Sequence, residues 1–223
     1  MNGKLFAQAS GKFLAGLILT ALLLFLPAGS LGYWNGWLLI GILFVPMFIA
    51  GCVMAAFRPK LLKKRLEARE KEAEQRTVIA LSGLMFAAAF VIAGLNYRFG
   101  WLTVPEWLVW TAAVLFLAAY AVFAEVLREN EYLSRTVEVR DGQKVVDTGL
   151  YGIVRHPMYS ATLVLFPAMG LVLGSPVSFL ILLCYVPIIV RRIRNEELVL
   201  LRELDGYDVY MKKVRYRVIP YLW

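Results

Sequence analysis

One histidine and two cysteines occur among 223 residues. Cys52 and Cys184 each stand alone inside an apolar run, so neither a disulfide framework nor a thiolate zinc site is available, and no metal site is expected. Both cysteines read as small core residues. No G-x-G-x-x-G stretch occurs, which excludes a soluble-type dinucleotide-binding domain. Polar surface is also scarce: 60% of the residues are hydrophobic and the mean hydropathy is +0.66, too apolar for a soluble domain that must cover its core. The composition is that of an integral membrane protein.

Apolar runs long enough, or nearly so, to cross a bilayer lie at 12–29, 33–57, 78–96, 104–127, 158–173 and 177–190. The expected fold is therefore an all-α integral membrane protein of about six transmembrane helices. The last two are short, meet at the "GSP" of Gly174–Pro176 and read as a helical hairpin, with the "GLVLG" of 170–174 suited to close approach of helices. Of the 24 lysines and arginines, 23 fall in alternate segments and one in the intervening ones. The positive-inside rule then places both termini and both long loops in the cytoplasm. It also explains the net charge of +8 without a nucleic-acid partner. Lys4, Lys12, the run to Leu26 and "PAGS" also resemble a signal peptide; an uncleaved first helix is the preferred expectation, because a second span follows at once.

Two regions divide the chain, 1–119 with the N-terminal membrane helices and a charged segment, and 120–223. The charged segment, Arg58–Arg76, offers the i,i+4 pairs Lys63–Glu67, Glu67–Lys71 and Glu72–Arg76, and reads as a solvated helix. The second region concentrates the unusual residues. Glu125, Arg128 and Glu129 end the fourth run, where an ionisable group is costly unless paired or lining a polar cavity. An i,i+3 pair of Glu125 with Arg128 is the simpler alternative. His156 precedes Pro157, a residue suited to the first helical position, so it belongs at or beside a helix N-cap. That helix start, with Arg155 beside it, suits an anion. Beyond residue 190 come Arg191, Arg192, Arg194, Glu196 and Glu197, then Leu198, Leu201 and Leu204 on one helical face, "DG" at 205–206, and Tyr207, Tyr210, Met211 and Val214 on another. These segments are expected to lie on the membrane surface as a cytoplasmic C-terminal helical lid.

A-E-x-x-R at 124–128, "TGLYGIVRHPMYSA" at 148–161, "EELVLLRELDGYDVYMKKV" at 196–214 and the following "RVIP" appear in this order. Together they resemble the isoprenylcysteine carboxyl methyltransferase family, related to the phospholipid methyltransferases. Ala124 and Ala161 stand where the family favours glycine. The resemblance implies S-adenosylmethionine as cofactor and a lipophilic acceptor entering from the bilayer. It implies cofactor contacts at Leu150, Tyr151, Arg155, His156, Pro157, Tyr159, Glu196 and Glu197, with the cofactor's carboxylate at the His156 helix start. Glu125, Arg128, Arg192 and Arg194 would face the acceptor. A carboxylate acceptor needs positioning, which arginines supply, whereas an amine must lose a proton, a base role for Glu125; the sequence carries both. An isoprenylcysteine-type carboxylate is the first choice and a phospholipid amine the second. Membrane sterol and enone reductases, which use NADPH, share a similar C-terminal pattern, although "HPMY" fits the methyltransferases better. A non-enzymatic carrier or scaffold is the remaining alternative, disfavoured by the crowding of charge into one half.

Overall fold

The computed structural model describes residues 3–66, 73–130, 132–133, 139 and 142–223. Nine α-helices and no strand occur among them. They are α1 (Gly3–Ala28), α2 (Trp34–Phe57), α3 (Pro59–Leu66), α4 (Ala73–Phe99), α5 (Glu106–Glu129), α6 (Pro157–Val172), α7 (Pro176–Leu183), α8 (Tyr185–Glu203) and α9 (Tyr207–Lys213). A 3-10 turn, Gly149–Gly152, precedes α6. The i,i+4 pairs expected within 58–76 each involve Glu67, Lys71 or Glu72, which lie outside the described residues.

Among the described residues five stretches are long and apolar enough to cross a bilayer: Phe6–Ala28, Trp34–Phe57, Arg76–Phe99, Glu106–Glu129 and Pro176–Glu203. These make the chain an integral membrane protein. At 16 residues α6 is apolar but shorter than a usual span. The run expected at 177–190 continues instead through a single turn residue, Cys184, into the charged segment, so that Arg191–Glu203 prolongs the α7–α8 path rather than starting a separate surface helix. Cys52 and Cys184 are both exposed, contrary to the core role expected for them. On a bilayer protein the outer surface is itself apolar, so an apolar neighbourhood in sequence does not distinguish core from lipid-facing positions.

Packing joins α1 to α4, α5 to α6, α6 to α7, and α4 to both α7 and α8. Small residues set the closest approaches. A Cβ added at Gly94 would stand 2.5 Å from the Leu24 carbonyl oxygen, and one at Gly170 2.4 Å from the Phe179 nitrogen. Gly174 has φ +69 and makes the turn, not the contact. The last carbonyls of α6 have no intrahelical donors. They are met from the α2 start, where Tyr33 donates its hydroxyl to the Leu173 carbonyl at 2.5 Å and Asn35 its amide to that of Val172 at 2.8 Å. Ser178 likewise donates to the Ala89 carbonyl at 2.7 Å. The bonds of Tyr33 and Asn35 fix α6 at its far end and so fix where its start, at His156, can lie, while that of Ser178 ties α7 to α4.

Candidate functional site

His156 is the N-cap of α6, with Pro157 at the first helical position. The residue before a proline is kept out of helical geometry, and His156, at φ −127 and ψ 63, leaves its N–H free to pair sideways. Arg155 and His156 donate theirs to the carbonyls of Tyr216 and Arg217 at 2.9 and 2.8 Å. The C-terminal segment is thereby strapped across the helix start, and Ser160 adds a hydroxyl bond to the Val218 carbonyl at 2.5 Å.

Under this strap lies a buried ionic hub. Tyr185, Ile189, Ile193 and Glu197 follow each other at intervals of four on α8 and are all buried. The carboxylate therefore lies on the core stripe of the helix. Its Oε1 accepts from Arg155 Nε at 2.8 Å and lies 3.2 Å from His156 Nε2, and its Oε2 accepts from Arg217 Nε at 2.8 Å. Arg155 spends a further nitrogen on the carbonyls of Val214 and Arg215, both at 2.8 Å. Burying one carboxylate among three cationic or cationisable partners satisfies its lone pairs and offsets desolvation. Arg155 and Glu197 thus hold the protein together here, rather than facing a ligand with their charged ends.

Glu196, one residue earlier, is turned by about 100° around the helix and faces a cleft. Tyr159 donates to its Oε2 at 2.5 Å and receives Arg192 Nε at 2.9 Å. His156 stacks on Tyr159 at 5.6 Å and places Nδ1 4.0 Å from Glu196 Oε1. The cleft is walled by Tyr151, Met158, Tyr207 and Tyr210, with Asn130 at its edge. Tyr210 donates to the Tyr151 carbonyl at 2.8 Å and Asn130 to the Tyr151 hydroxyl at 3.0 Å. Burial pushes the phenols of Tyr207 and Tyr210 well above their ordinary pKa, keeping both as neutral donors. The buried Tyr207 hydroxyl has no partner among the described residues. An orphaned buried donor beside a cleft marks a position for a ligand acceptor.

Leu150 contributes through its backbone. Its N–H donates to Glu129 Oε2 at 3.1 Å, and Thr148 donates to Oε1 at 3.0 Å, so Glu129 holds the 3-10 turn that carries Tyr151. Gly149 in this turn has φ +47, and an added Cβ would stand 2.1 Å from Glu129 Oε1. Three expected acceptor-side residues are not brought to the cleft wall. Glu125 and Arg128 bind each other in a fork, at 2.8 and 2.6 Å, and Arg194 is exposed on the outer side of α8 with Val186 and Leu198. Leu198 and Leu201 are exposed too, so the expected apolar face through them is not the packed one; of the three leucines only Leu204 is buried. Tyr207, Tyr210, Asn130 and Arg217 complete the site without having been singled out for it. The two tyrosines are visible in sequence only as an apolar face, and the pairing of Arg217 with Glu197 across 20 residues leaves no local signal. Among the described residues no group of three His, Cys, Asp or Glu stands close enough to hold a metal ion.

Two comparisons with known proteins match parts of this chain. A 91-residue stretch, 40% of the chain, is 30% identical to the Delta(14)-sterol reductase TM7SF2 of Mus musculus, of which it spans 22%. Residues 107–202 match the family model of isoprenylcysteine carboxyl methyltransferase. They supply α5, the 3-10 turn, α6, α7 and nearly all of α8, which carry His156, Tyr159, Arg192, Glu196 and Glu197. The part of the chain that supplies most of the cleft is thus similar to the isoprenylcysteine carboxyl methyltransferase family, while Tyr207, Tyr210 and Arg217 lie beyond the matched residues.

Proposed function

We propose that the protein is a membrane methyltransferase that binds S-adenosylmethionine in the cleft between the α6 start, α8 and α9 and methylates a lipophilic acceptor arriving from the bilayer. A carboxylate of isoprenylcysteine type is the acceptor favoured by the family. The observation that carries the reading is the array of Arg192, Tyr159 and Glu196 facing an aromatic-walled cleft beside the unpartnered Tyr207 hydroxyl. The donor set suits this cofactor. Glu196 is an acceptor for an ammonium group, Arg192 a donor for a carboxylate, and the Tyr207 hydroxyl a donor for a ring nitrogen or ribose oxygen. The cofactor, when bound, supplies a methyl group on a cationic sulfur.

The chain's own residues do the rest. Tyr151, Met158 and Tyr210 exclude water, which strengthens each charge contact within the cleft. Glu197 holds His156 and Arg155 in place, and Tyr159 fixes the orientation of Glu196 and Arg192. The carboxylate-binding role expected for Arg155 passes to Arg192, because the Arg155 guanidinium is committed to Glu197 and two carbonyls. The positive-inside rule puts this cleft and both termini on the cytoplasmic side.

A second reading, an NADPH-dependent reductase, draws support from the partial match to the mouse sterol reductase. Calorimetric titration of the purified protein with S-adenosylmethionine and with NADPH separates the two. Binding of the first and transfer of its labelled methyl group to a carboxylate lipid are expected. Binding of NADPH alone would replace the methyltransferase by the reductase, and binding of neither would leave a carrier or scaffold. Amine lipids tested alongside distinguish the acceptor classes: a carboxylate should react at a nearly constant rate above about pH 6, whereas an amine should show a rising limb.

A further inference from the structure

A second recess lies on the other side of α5. Leu117, Ala121, Ala124 and Arg128 face α2 across a groove whose opposite wall includes Ala50 and Val53. Phe116, Ala119 and Val126, on another face of α5, are buried, and α5 packs mainly against α6. The groove therefore opens away from the cleft. It encloses about 510 Å³, within the roughly 300–1,000 Å³ typical of ligand sites. Its alanines make it concave where larger side chains would close it. From Pro46 to Arg58 the path along α2 is about 18 Å at ~1.5 Å per residue, close to the ~15 Å of one leaflet, half of a ~30 Å hydrocarbon core.

Charge marks only one end. Arg58 and Arg128 meet there, Arg58 Nη1 donating to the Arg128 carbonyl at 3.2 Å. Arg128 is neutralised by its fork with Glu125. Glu129, the other carboxylate whose charge reaches Arg128, is held by Thr148 and the Leu150 N–H, and no carboxylate pairs with Arg58 among the described residues, so the Arg58 guanidinium is left to meet an anion. An apolar groove as long as one leaflet, ending in an uncompensated guanidinium, matches a lipid with a negative headgroup: the acyl chain fills the alanine-lined wall and a phosphate takes the arginine donors. A zwitterionic lipid brings its own cation to the same place and gains less.

We propose that the α2–α5 groove is a binding site for an anionic phospholipid, with one acyl chain along the groove and the phosphate on Arg58 and Arg128. The site is separate from the cleft and does not depend on the methyltransferase reading. The test is native mass spectrometry of the whole protein in mild detergent, titrated with phosphatidylglycerol or phosphatidylcholine of equal chain length. One phosphatidylglycerol should be retained in preference to phosphatidylcholine. Arg58→Gln should weaken that binding by roughly tenfold, the loss expected for a charge-assisted contact. Ala121→Trp, which fills the groove and keeps both arginines, should abolish it. Melting temperatures identify a variant that fails to fold, in which case the other variant and the lipid preference of the unmodified protein decide. Equal retention of the two lipids, phosphatidylglycerol binding unchanged in the folded variants, or its displacement by the methyl acceptor would each overturn the proposal.

Discussion

At the scale of residues, Glu196 and Glu197 are adjacent in sequence and separate in consequence, since one faces the cleft and the other the core. Glu197→Gln leaves Arg155 and Arg217 without their shared carboxylate. Breaking a buried ion pair costs about 3–5 kcal/mol, so a clear fall in melting temperature in detergent is expected, with loss of cofactor binding following from it. Glu196→Gln should leave the melting temperature unchanged and weaken S-adenosylmethionine binding by about 1.5–3 kcal/mol, the range for a hydrogen bond to a charged group; calorimetry gives both numbers. The reverse pattern would exchange the two roles. The family resemblance implies that both glutamates belong together with His156. The sequence does not show which one is buried, because that depends on the stripe Tyr185–Ile189–Ile193 running on past the arginines at 191 and 192, where charge ends the apolar run in sequence. Asp147, exposed on the turn before α6, is held below its ordinary pKa by a 2.7 Å hydrogen bond from Lys213 and by that group's charge. A depressed carboxylate contributes fully above its unfolded pKa, about 3.9, and its contribution is lost as pH falls through the lower folded value. The Lys213→Gln variant should therefore differ from the parent by a constant amount between pH 6 and 8, and converge with it in acid.

Helices are the next scale, and here the closest contacts decide. Gly170 meets the backbone of α7 with no room for a methyl group. Gly170→Ala must push α6 and α7 apart, at a cost of about 1–3 kcal/mol for overpacking, read as a lower melting temperature, whereas Gly11→Ala, at a position with open space around it, should change it little. Equal effects would mean that helix propensity, and not separation, governs α6. The start of α6 is legible in advance from Pro157, and so is the turn at Gly174–Pro176. The faces of α8 are not. Leu198 and Leu201 look like a buried pair by spacing, yet they point outward, because in a bilayer an apolar side chain gains little by choosing the interior over lipid. Polarity is the better guide in such a helix, and Glu197 marks the inner face more reliably than any leucine.

For the molecule as a whole, the distribution of basic residues and the arrangement of helix ends agree. Arg58 at the end of α2 touches Arg128 at the end of α5, and the start of α6 meets the late turns of α8. These ends carry the basic segments, while Tyr33, Asn35 and Leu173 gather at the opposite end. A reporter fused after Trp223 should register the cytoplasmic side, and one at residue 100 the other side. Opposite results would reverse the orientation without altering the packing. The apolar helices and the polarity of their ends can be read from the chain, since they follow from local composition; the number of spans cannot, because α6 is short and the run at 177–190 continues into the charged turns of α8. The strap of 214–218 over the α6 start cannot, because "VRYRV" carries no periodicity that names its partner.

Gly149 lies against the Glu129 carboxylate in a turn that has no space for a methyl group and a backbone angle that side chains resist. In a survey of every single substitution scored only by growth or turnover, this position would rank beside the cofactor contacts, although nothing it carries reaches the cleft. Its intolerance is a property of the 3-10 turn that carries Tyr151. A parallel score for the amount of folded protein at the membrane would separate such scaffold positions from residues that touch a ligand, and Gly149 would be the natural reference for the first group.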